Sequence, residues 1–452
     1  MAKKKTAKKT SKKTIKKSTS KKTSKKSTKK TTKKKSTKKN SDKNSTKTTK
    51  QKASQKPQSK KDLQFEKVKP ILDEALEKIQ PEGETMQNFQ KDLDAFVRKL
   101  KKKITSSNID AEVFVGGSFA KNTVVKKDKY DADVFIRFSQ EYKDKDISRL
   151  TKRLLNKIRA NKFRIHGSRD YFRLKPRKNF IIEVVPVMKI NKPEEAENVT
   201  DLSYSHVKYV NEKINSQSNP KRLLDEIKLA KAFCEANKCY GAESYINGFS
   251  GYALELLIIY YGSFYKFMKD MVNFSPGQQE KLIIDMENQF NSKNEAMLDL
   301  NQSKLQSPII LIDPTYKKRN SLAALSDETF EKFKEACQDF LESPSTRFFE
   351  KQKVDLAEIK RQAKKDNKKF MLLEAKTKKQ PGDIAGSKLS KFYKHLTEEI
   401  SKYFEIHNRG FNYDMKKSAK FFFVLKPRKE IIFMGPPVGD KDNVKNFKKQ
   451  HK

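Results

Sequence analysis

This chain has no tryptophan, three cysteines and only 56 acids against 102 lysines and arginines. Three cysteines (Cys234, Cys239 and Cys337) cannot staple a chain of 452 residues, which argues against a disulfide scaffold and for a reducing, cytoplasmic setting. The four well-spaced ligands of a structural zinc site are missing around Cys234 and Cys239. Long apolar runs are also missing. The longest, Tyr252 to Tyr261, is interrupted by Glu255 and falls far short of the ~20 residues a membrane-spanning helix needs, so no membrane association is expected. The start of the chain carries neither the apolar stretch of a secretory signal nor an arginine-bearing amphipathic presequence. No Gly-x-x-x-x-Gly-Lys-Ser/Thr loop occurs, which counts against a P-loop nucleotide site.

What is there begins with charge. Of the formal +46, residues 1–61 carry +26, from 27 lysines and a single acid, Asp42. They repeat a Lys-Lys-Thr/Ser pattern with almost no apolar side chain, so they cannot bury enough surface to offset the entropy of ordering. The expectation is a disordered polycation. Its functional reading is a sequence-independent tether to RNA, through phosphate neutralisation and counterion release; the plain alternative is a solubilising tail.

The rest of the chain is long enough for two or three domains. Residues 88–107 place Phe89, Leu93, Phe96, Val97, Leu100 and Ile104 at helical spacing, and 146–159 repeat the pattern. Strand-like runs lie at 111–116 and 133–138, then around 163–166, 170–175 and 180–187. The stretch from about 200 to 345 reads as mainly helical, with a polar surface loop near 287–306. Beyond 350 the chain turns basic, and Lys420–Leu425 and Glu430–Phe433 read as hairpin strands joined by Lys426–Lys429. The fold class is therefore α+β: a palm with a small mixed sheet over 62–195, a helical central domain over 196–345 and a basic α/β C-terminal region over 346–452, preceded by the Lys-rich tail.

Chemistry gathers in the first of these. Gly116-Gly117-Ser118 forms a turn after the 111–116 strand, and Asp131 and Asp133 follow at the head of the next strand, thirteen residues after the serine. Alternation puts both aspartates on one face. Glu183 opens Glu-Val-Val-Pro-Val and would lie beside them if the strands share a sheet. Three crowded carboxylates repel unless a cation neutralises them, and Mg²⁺ suits hard oxygen ligands while leaving room for phosphate. The turn amides and the Ser118 hydroxyl can hold a triphosphate. A pair of solvated strand-start acids is the bland reading of Asp131 and Asp133.

The motifs Gly-Gly-Ser-Phe-Ala-Lys (116–121), Asp-Ala-Asp-Val-Phe (131–135), His-Gly-Ser-Arg-Asp-Tyr (166–171), Glu-Val-Val-Pro-Val (183–187), Gly-Phe-Ser-Gly-Tyr (248–252), Tyr-Gly-Ser-Phe (261–264) and Ile-Asp-Pro-Thr (312–315) together resemble the archaeal-type (class I) CCA-adding tRNA nucleotidyltransferases, of the polymerase-beta-like superfamily. The resemblance implies that Asp131, Asp133 and Glu183 are catalytic and hold two Mg²⁺ ions. It implies that Gly117, Ser118, Lys121, Ser203, His206, Lys231 and Tyr240 surround the incoming triphosphate, and that Arg319 helps to select the base. CTP and ATP are then the substrates, the acceptor stem and 3′ end of tRNA the partner, and a homodimer an arrangement members adopt. Glu183 stands where many members have aspartate, and Asn122 and Val124 depart from the pattern after the serine turn. Two other readings remain at this point: a poly(A)/uridylyl transferase or oligoadenylate-synthetase-like enzyme sharing the palm, and a non-catalytic RNA-binding protein dominated by its tail.

Overall fold

The computed structural model describes residues 62–158, 161–167, 169–274, 281–352, 354–431 and 434–450. The Lys-rich segment 1–61 lies outside them. The first helix, α1 (Leu63–Ile79), is capped by Asp62, which accepts from the amides of Gln64 and Phe65. Its apolar face, Val68, Leu72, Ala75 and Ile79, packs into the core of the helical centre and not against the palm that follows it in sequence.

The palm is built on period-two alternation. Its elements are α2 (Gly83–Thr105), β1 (Ala111–Val115), the single-turn α3 (Gly117–Ala120), β2 (Tyr130–Phe138), α4 (Ile147–Asn156), β3 (Lys162–Ile165), β4 (Tyr171–Arg177) and β5 (Phe180–Met188). The five strands lie in the order β1-β2-β5-β4-β3. Strands β2 and β5 run parallel while the other neighbours are antiparallel, so the sheet is mixed as expected. One face carries Ala132, Val134, Ile136 and Phe138 of β2 with Phe180, Ile182 and Val184 of β5, buried against Phe89, Leu93 and Leu100 of α2 and Leu154 of α4. The intervening residues of the same strands point away from that core. Asp131, Asp133 and Glu183 are among them.

The helical centre comprises α5 (Ser203–Asn215), α6 (Pro220–Ala236), α7 (Gly251–Tyr261), α8 (Phe264–Asn273), β6 (Leu282–Ile284), α9 (Lys293–Asp299), β7 (Ile309–Asp313), β8 (Tyr316–Asn320) and α10 (Asp327–Glu342). Helix α7 is apolar all round and runs through the middle, with Ala253 to Ile258 all buried, Glu255 included. Phe233 anchors an aromatic cluster with Phe264, Phe333, Phe340 and Phe349. All three cysteines are buried and free. The polar stretch 287–306 is not a plain loop: Ser292 caps α9 by accepting from the Glu295 amide, and Ala296, Leu300 and Leu305 pack on Ile310 and Ile312. Three apolar residues spaced four to five apart within a polar run are easy to miss, yet they suffice to bury one side of a short helix.

The C-terminal region folds as α11 (Leu356–Lys365), β9 (Lys369–Lys376), α12 (Asp383–Tyr403), β10 (Phe404–Tyr413), β11 (Ser418–Pro427) and α13 (Lys441–Gln450). Leu389 and Tyr393 of α12 cover Phe421, Phe423 and Leu425. The strand at 420–425 is present, but its hairpin partner is upstream. β11 pairs with β10 on one side and β9 on the other. The hairpin turn at 414–417 is made by Asp414, whose side chain accepts from the amides of Lys416 and Ser418. Glu430 and Ile431 are not in a strand, and Ile432 and Phe433 lie outside the described residues. Gln380 ties this region to the palm through the β3–β4 turn: its Oε1 accepts from the His166 amide at 3.2 Å and its Nε2 donates to the His166 carbonyl at 2.8 Å. Among the described residues no helix is long and apolar enough to cross a membrane.

Candidate active site

The parallel pairing of β2 and β5 sets Asp133 directly opposite Glu183, with Asp131 two residues back on the same face. Two cations lean on this acidic patch. Lys127 Nζ lies 2.5 Å from Asp131 Oδ1, and Arg173 Nε donates to Glu183 Oε1 at 2.6 Å, from the register position opposite Glu183 on β4. Asp133 has no ion pair among the described residues. Burial, then the charges of Glu183 and Asp131, push its carboxyl up to about 7, against the smaller pull of Lys121 and Lys127. Glu183 is shifted upward as well, mainly by burial.

Gly117 explains the close approach of the serine turn. It has φ of +61°, and a Cβ added to it would lie 1.9 Å from Asp133 Oδ2. Only glycine permits both the left-handed backbone and the carboxylate behind it. Ser118 follows on α3, partly exposed. The donor set here is three carboxylates on one sheet face, with the Asp133 carboxyl pushed up to about 7 by burial and by its acidic neighbours, which suits a divalent cation. As the side chains lie, no group of three acids, cysteines or histidines among the described residues stands in ligating geometry; Lys127 and Arg173 hold two of the carboxylates.

Two further clusters adjoin the patch; neither centre was among the site residues expected from the sequence, although Asp313 lies in the Ile-Asp-Pro-Thr motif (312–315). The first is organised by Glu255, fully buried on α7. Its Oε2 receives Lys121 Nζ at 2.5 Å; its Oε1 receives Lys231 Nζ at 2.7 Å and the Thr123 hydroxyl at 3.0 Å. Lys231 also donates to Thr123 at 2.7 Å. Burial pushes the Glu255 carboxyl up, but Lys121 and Lys231 outweigh it and hold it at about 2. Burial lowers Lys231, opposed by Glu255. Tyr240 comes close to Lys231 at Gly251, where an added Cβ would meet the Tyr240 hydroxyl at 2.7 Å and Lys231 Cε at 3.8 Å.

The second is organised by Asp313, buried at the end of β7. Its Oδ2 receives Arg319 Nη1 at 2.5 Å and faces His206 Nε2 at 3.0 Å. Its Oδ1 receives the Tyr252 hydroxyl at 3.0 Å and both the amide and hydroxyl of Thr315 at 2.8 Å. These donors hold the Asp313 carboxyl far below its ordinary range, despite burial. Burial lowers His206 more than Asp313 raises it, so the ring is neutral near pH 7 and its Nε2–H donates to Asp313. The ring stacks on Tyr252 with centroids 4.0 Å apart. Ser203 opens α5 three residues before His206 and occupies a neighbouring position on the helix surface.

The structure thus groups the sequence candidates into three adjoining sets: Gly117 and Ser118 with the carboxylates, Lys121, Lys231 and Tyr240 around Glu255, and His206 and Arg319 around Asp313. Lys121 joins them, since its charge acts on Asp133 and its Nζ lies 6.0 Å from the centre of the Tyr252 ring. The sequence does carry a signal for Glu255, a lone acid in an apolar run, and for Asp313, an acid closing Ile309–Ile312.

The chain is similar to known proteins over most of its length. Residues 97–230 match the family model of the nucleotidyltransferase domain, and residues 225–350 match that of the second domain of tRNA nucleotidyltransferase. The chain is 38% identical over 254 residues to the CCA-adding enzyme of Nanoarchaeum equitans, an alignment covering 56% of this chain and 60% of that protein. It is 28% identical over 397 residues to the CCA-adding enzyme of Methanocaldococcus jannaschii, covering 85% of this chain and 84% of the relative. The CCA-adding enzyme of Archaeoglobus fulgidus is 28% identical over 388 residues, covering 84% and 82%. The Nanoarchaeum relative is matched over less than two thirds of its length, the other two over most of theirs.

Proposed function

We propose that this chain is an archaeal-type CCA-adding tRNA nucleotidyltransferase, which adds C, C and A to tRNA 3′ ends from CTP and ATP without a nucleic-acid template. The observation that carries this reading is the pairing of Asp133 with Glu183 beside two lysines that share one buried carboxylate. Such a site offers hard anions for a metal on one side and fixed cations for a triphosphate on the other.

In the proposed reaction the primer 3′-hydroxyl gives up its proton to solvent while its oxygen forms a bond to the α-phosphorus of the incoming nucleotide. The α–β phosphoanhydride breaks, and pyrophosphate leaves with its electron pair. Two Mg²⁺ ions held by Asp131, Asp133 and Glu183 would neutralise charge on the attacking and leaving oxygens. The protein supplies the alignment. Lys121 and Lys231 grip the triphosphate as point charges, with Tyr240 and the Ser118 hydroxyl as further donors. Gly117 leaves the turn amides free to approach it. Lys127 and Arg173, released from Asp131 and Glu183, become available to phosphate oxygens. Arg319 presents a planar fork to the base, and Asp313 fixes its orientation. Ser203 and His206 complete the pocket, with His206 packed on Tyr252. Holding primer and nucleotide in reactive register provides much of the rate. The helical centre and the basic C-terminal region would hold the acceptor stem through shape and phosphates, the usual way A-form RNA is read.

The test is extension of a tRNA transcript lacking its terminal CCA, with Mg²⁺ and CTP, with or without ATP, resolved to single nucleotides. Two C additions followed by one A and a stop are expected. Long homopolymer tails would replace this reading by a poly(A) or uridylyl transferase, and tight tRNA binding without extension by a non-catalytic RNA-binding protein.

A further inference from the structure

Glu255, like Asp313, has none of its surface exposed. A carboxylate costs several kcal/mol to bury unless its partners compensate, so its presence on an otherwise apolar helix calls for a reason. Its three partners come from two separate parts of the chain: Lys121 and Thr123 from the segment after α3, and Lys231 from α6. Lysine is a compact charge on a flexible four-carbon stem, and the position of its ammonium group is set by what it bonds. Two such groups enclosed together repel, and without an anion between them at least one would tend to lose its proton. Glu255 sets one carboxylate between the two amino groups, 2.5 Å from Lys121 Nζ and 2.7 Å from Lys231 Nζ.

We infer that Glu255 is a positioning residue for nucleotide binding, acting through Lys121 and Lys231 to fix the place and charge of the triphosphate grip for CTP and ATP alike. The inference rests on the reading of these lysines as triphosphate ligands. It also divides α7 by task. Tyr252, three residues before Glu255, serves the Asp313 cluster that faces the base, so substitutions at the two positions should separate affinity from selectivity. The competing account makes Glu255 a structural anchor between α7 and the palm.

The experiment compares wild type with E255Q and E255D. Binding of CTP and of ATP is measured by calorimetry, and KM for each nucleotide and for tRNA together with kcat by steady-state extension. E255Q should raise KM and Kd for both nucleotides roughly tenfold, the scale of one charge-assisted hydrogen bond, while leaving KM for tRNA and the order of C and A addition unchanged. E255D keeps the charge but withdraws it by one methylene, and a smaller rise is expected. A lower kcat with unchanged nucleotide KM in both variants is what an anchor would give, and it overturns the inference. Should E255Q not fold, E255D alone decides by the same criterion. A wild-type chain that binds neither CTP nor ATP overturns the proposed function and this inference with it.

Discussion

Asp133 faces Glu183 across the parallel strands β2 and β5, one register position for one. Two acids fixed at that spacing by backbone pairing cannot separate, and burial together with the Glu183 and Asp131 charges pushes the Asp133 carboxyl up to about 7. Replacing Asp133 by asparagine relieves that repulsion and removes the central ligand of the proposed metal site. D133N should fold and bind tRNA normally, yet lose at least about 100-fold in nucleotide incorporation, as expected for removal of a group that stabilises developing charge. Wild-type incorporation by D133N would sink the assignment.

Gly117 offers a test of geometry independent of charge. G117A places a methyl group where Asp133 Oδ2 now sits and forces a left-handed backbone on a residue that resists it. A stability loss of about 1 kcal/mol comes from the backbone alone. Activity should fall much further than thermal denaturation would suggest, because the displaced carboxylate belongs to the site.

The Glu255 cluster makes a pH prediction. Its carboxyl titrates at about 2 in the folded chain against an ordinary 4.5, so the cluster contributes stability above about pH 4.5 and loses it as the pH falls towards 2. Wild type and E255Q should therefore differ most in melting temperature near neutrality and converge on acidification. A gap that stays constant between about pH 5 and pH 3 would contradict the charge state assigned to Glu255.

Asp313 is the shared acceptor for Arg319 and His206, so D313N disorganises both at once. Leaving the half-buried Arg319 guanidinium with Ser321 but without its carboxylate costs up to about 3 kcal/mol, which chemical denaturation would detect. Where the variant remains folded, the stop between C and A addition should blur, measured as C incorporated at the last position when ATP is withheld.

Deletion of residues 1–61 removes a formal +26. If the segment is a tether, tRNA affinity should drop at low salt and the slope of log affinity against log salt should flatten, with the two proteins converging at high salt. Equal affinities at every salt concentration would reduce it to a solubilising tail.

The palm was legible in the sequence because its information is local. Alternation along 131–138 and 180–187 gives both the buried face and the acidic one, and strand pairing then brings Glu183 to Asp133. The two centres of the remaining site were not legible in that way. Glu255 acquires its partners 134 and 24 residues away along the chain, and Asp313 meets His206 across 107. No short pattern encodes such meetings, so each acid reads as an interruption of an apolar run. The C-terminal hairpin failed for a related reason. Phe404–Tyr413 is polar at most exposed positions and does not read as a strand, while Glu430–Phe433 does; the pairing follows the turn chemistry of Asp414, whose side chain bonds two amides beyond it.

The packing of α1 has a consequence for how the chain is made. Its apolar face belongs to a core completed near residues 346–349, and Lys78 reaches Thr346 across 268 residues of sequence. At ribosomal speeds of ~5–20 residues per second, the helix emerges roughly 15 to 50 s before the segment that closes over it has been synthesised. For that interval a growing polypeptide displays Val68, Leu72 and Ile79 uncovered, so the length of chain between α1 and the segment that closes over it sets how long an apolar face stays open to aggregation during synthesis.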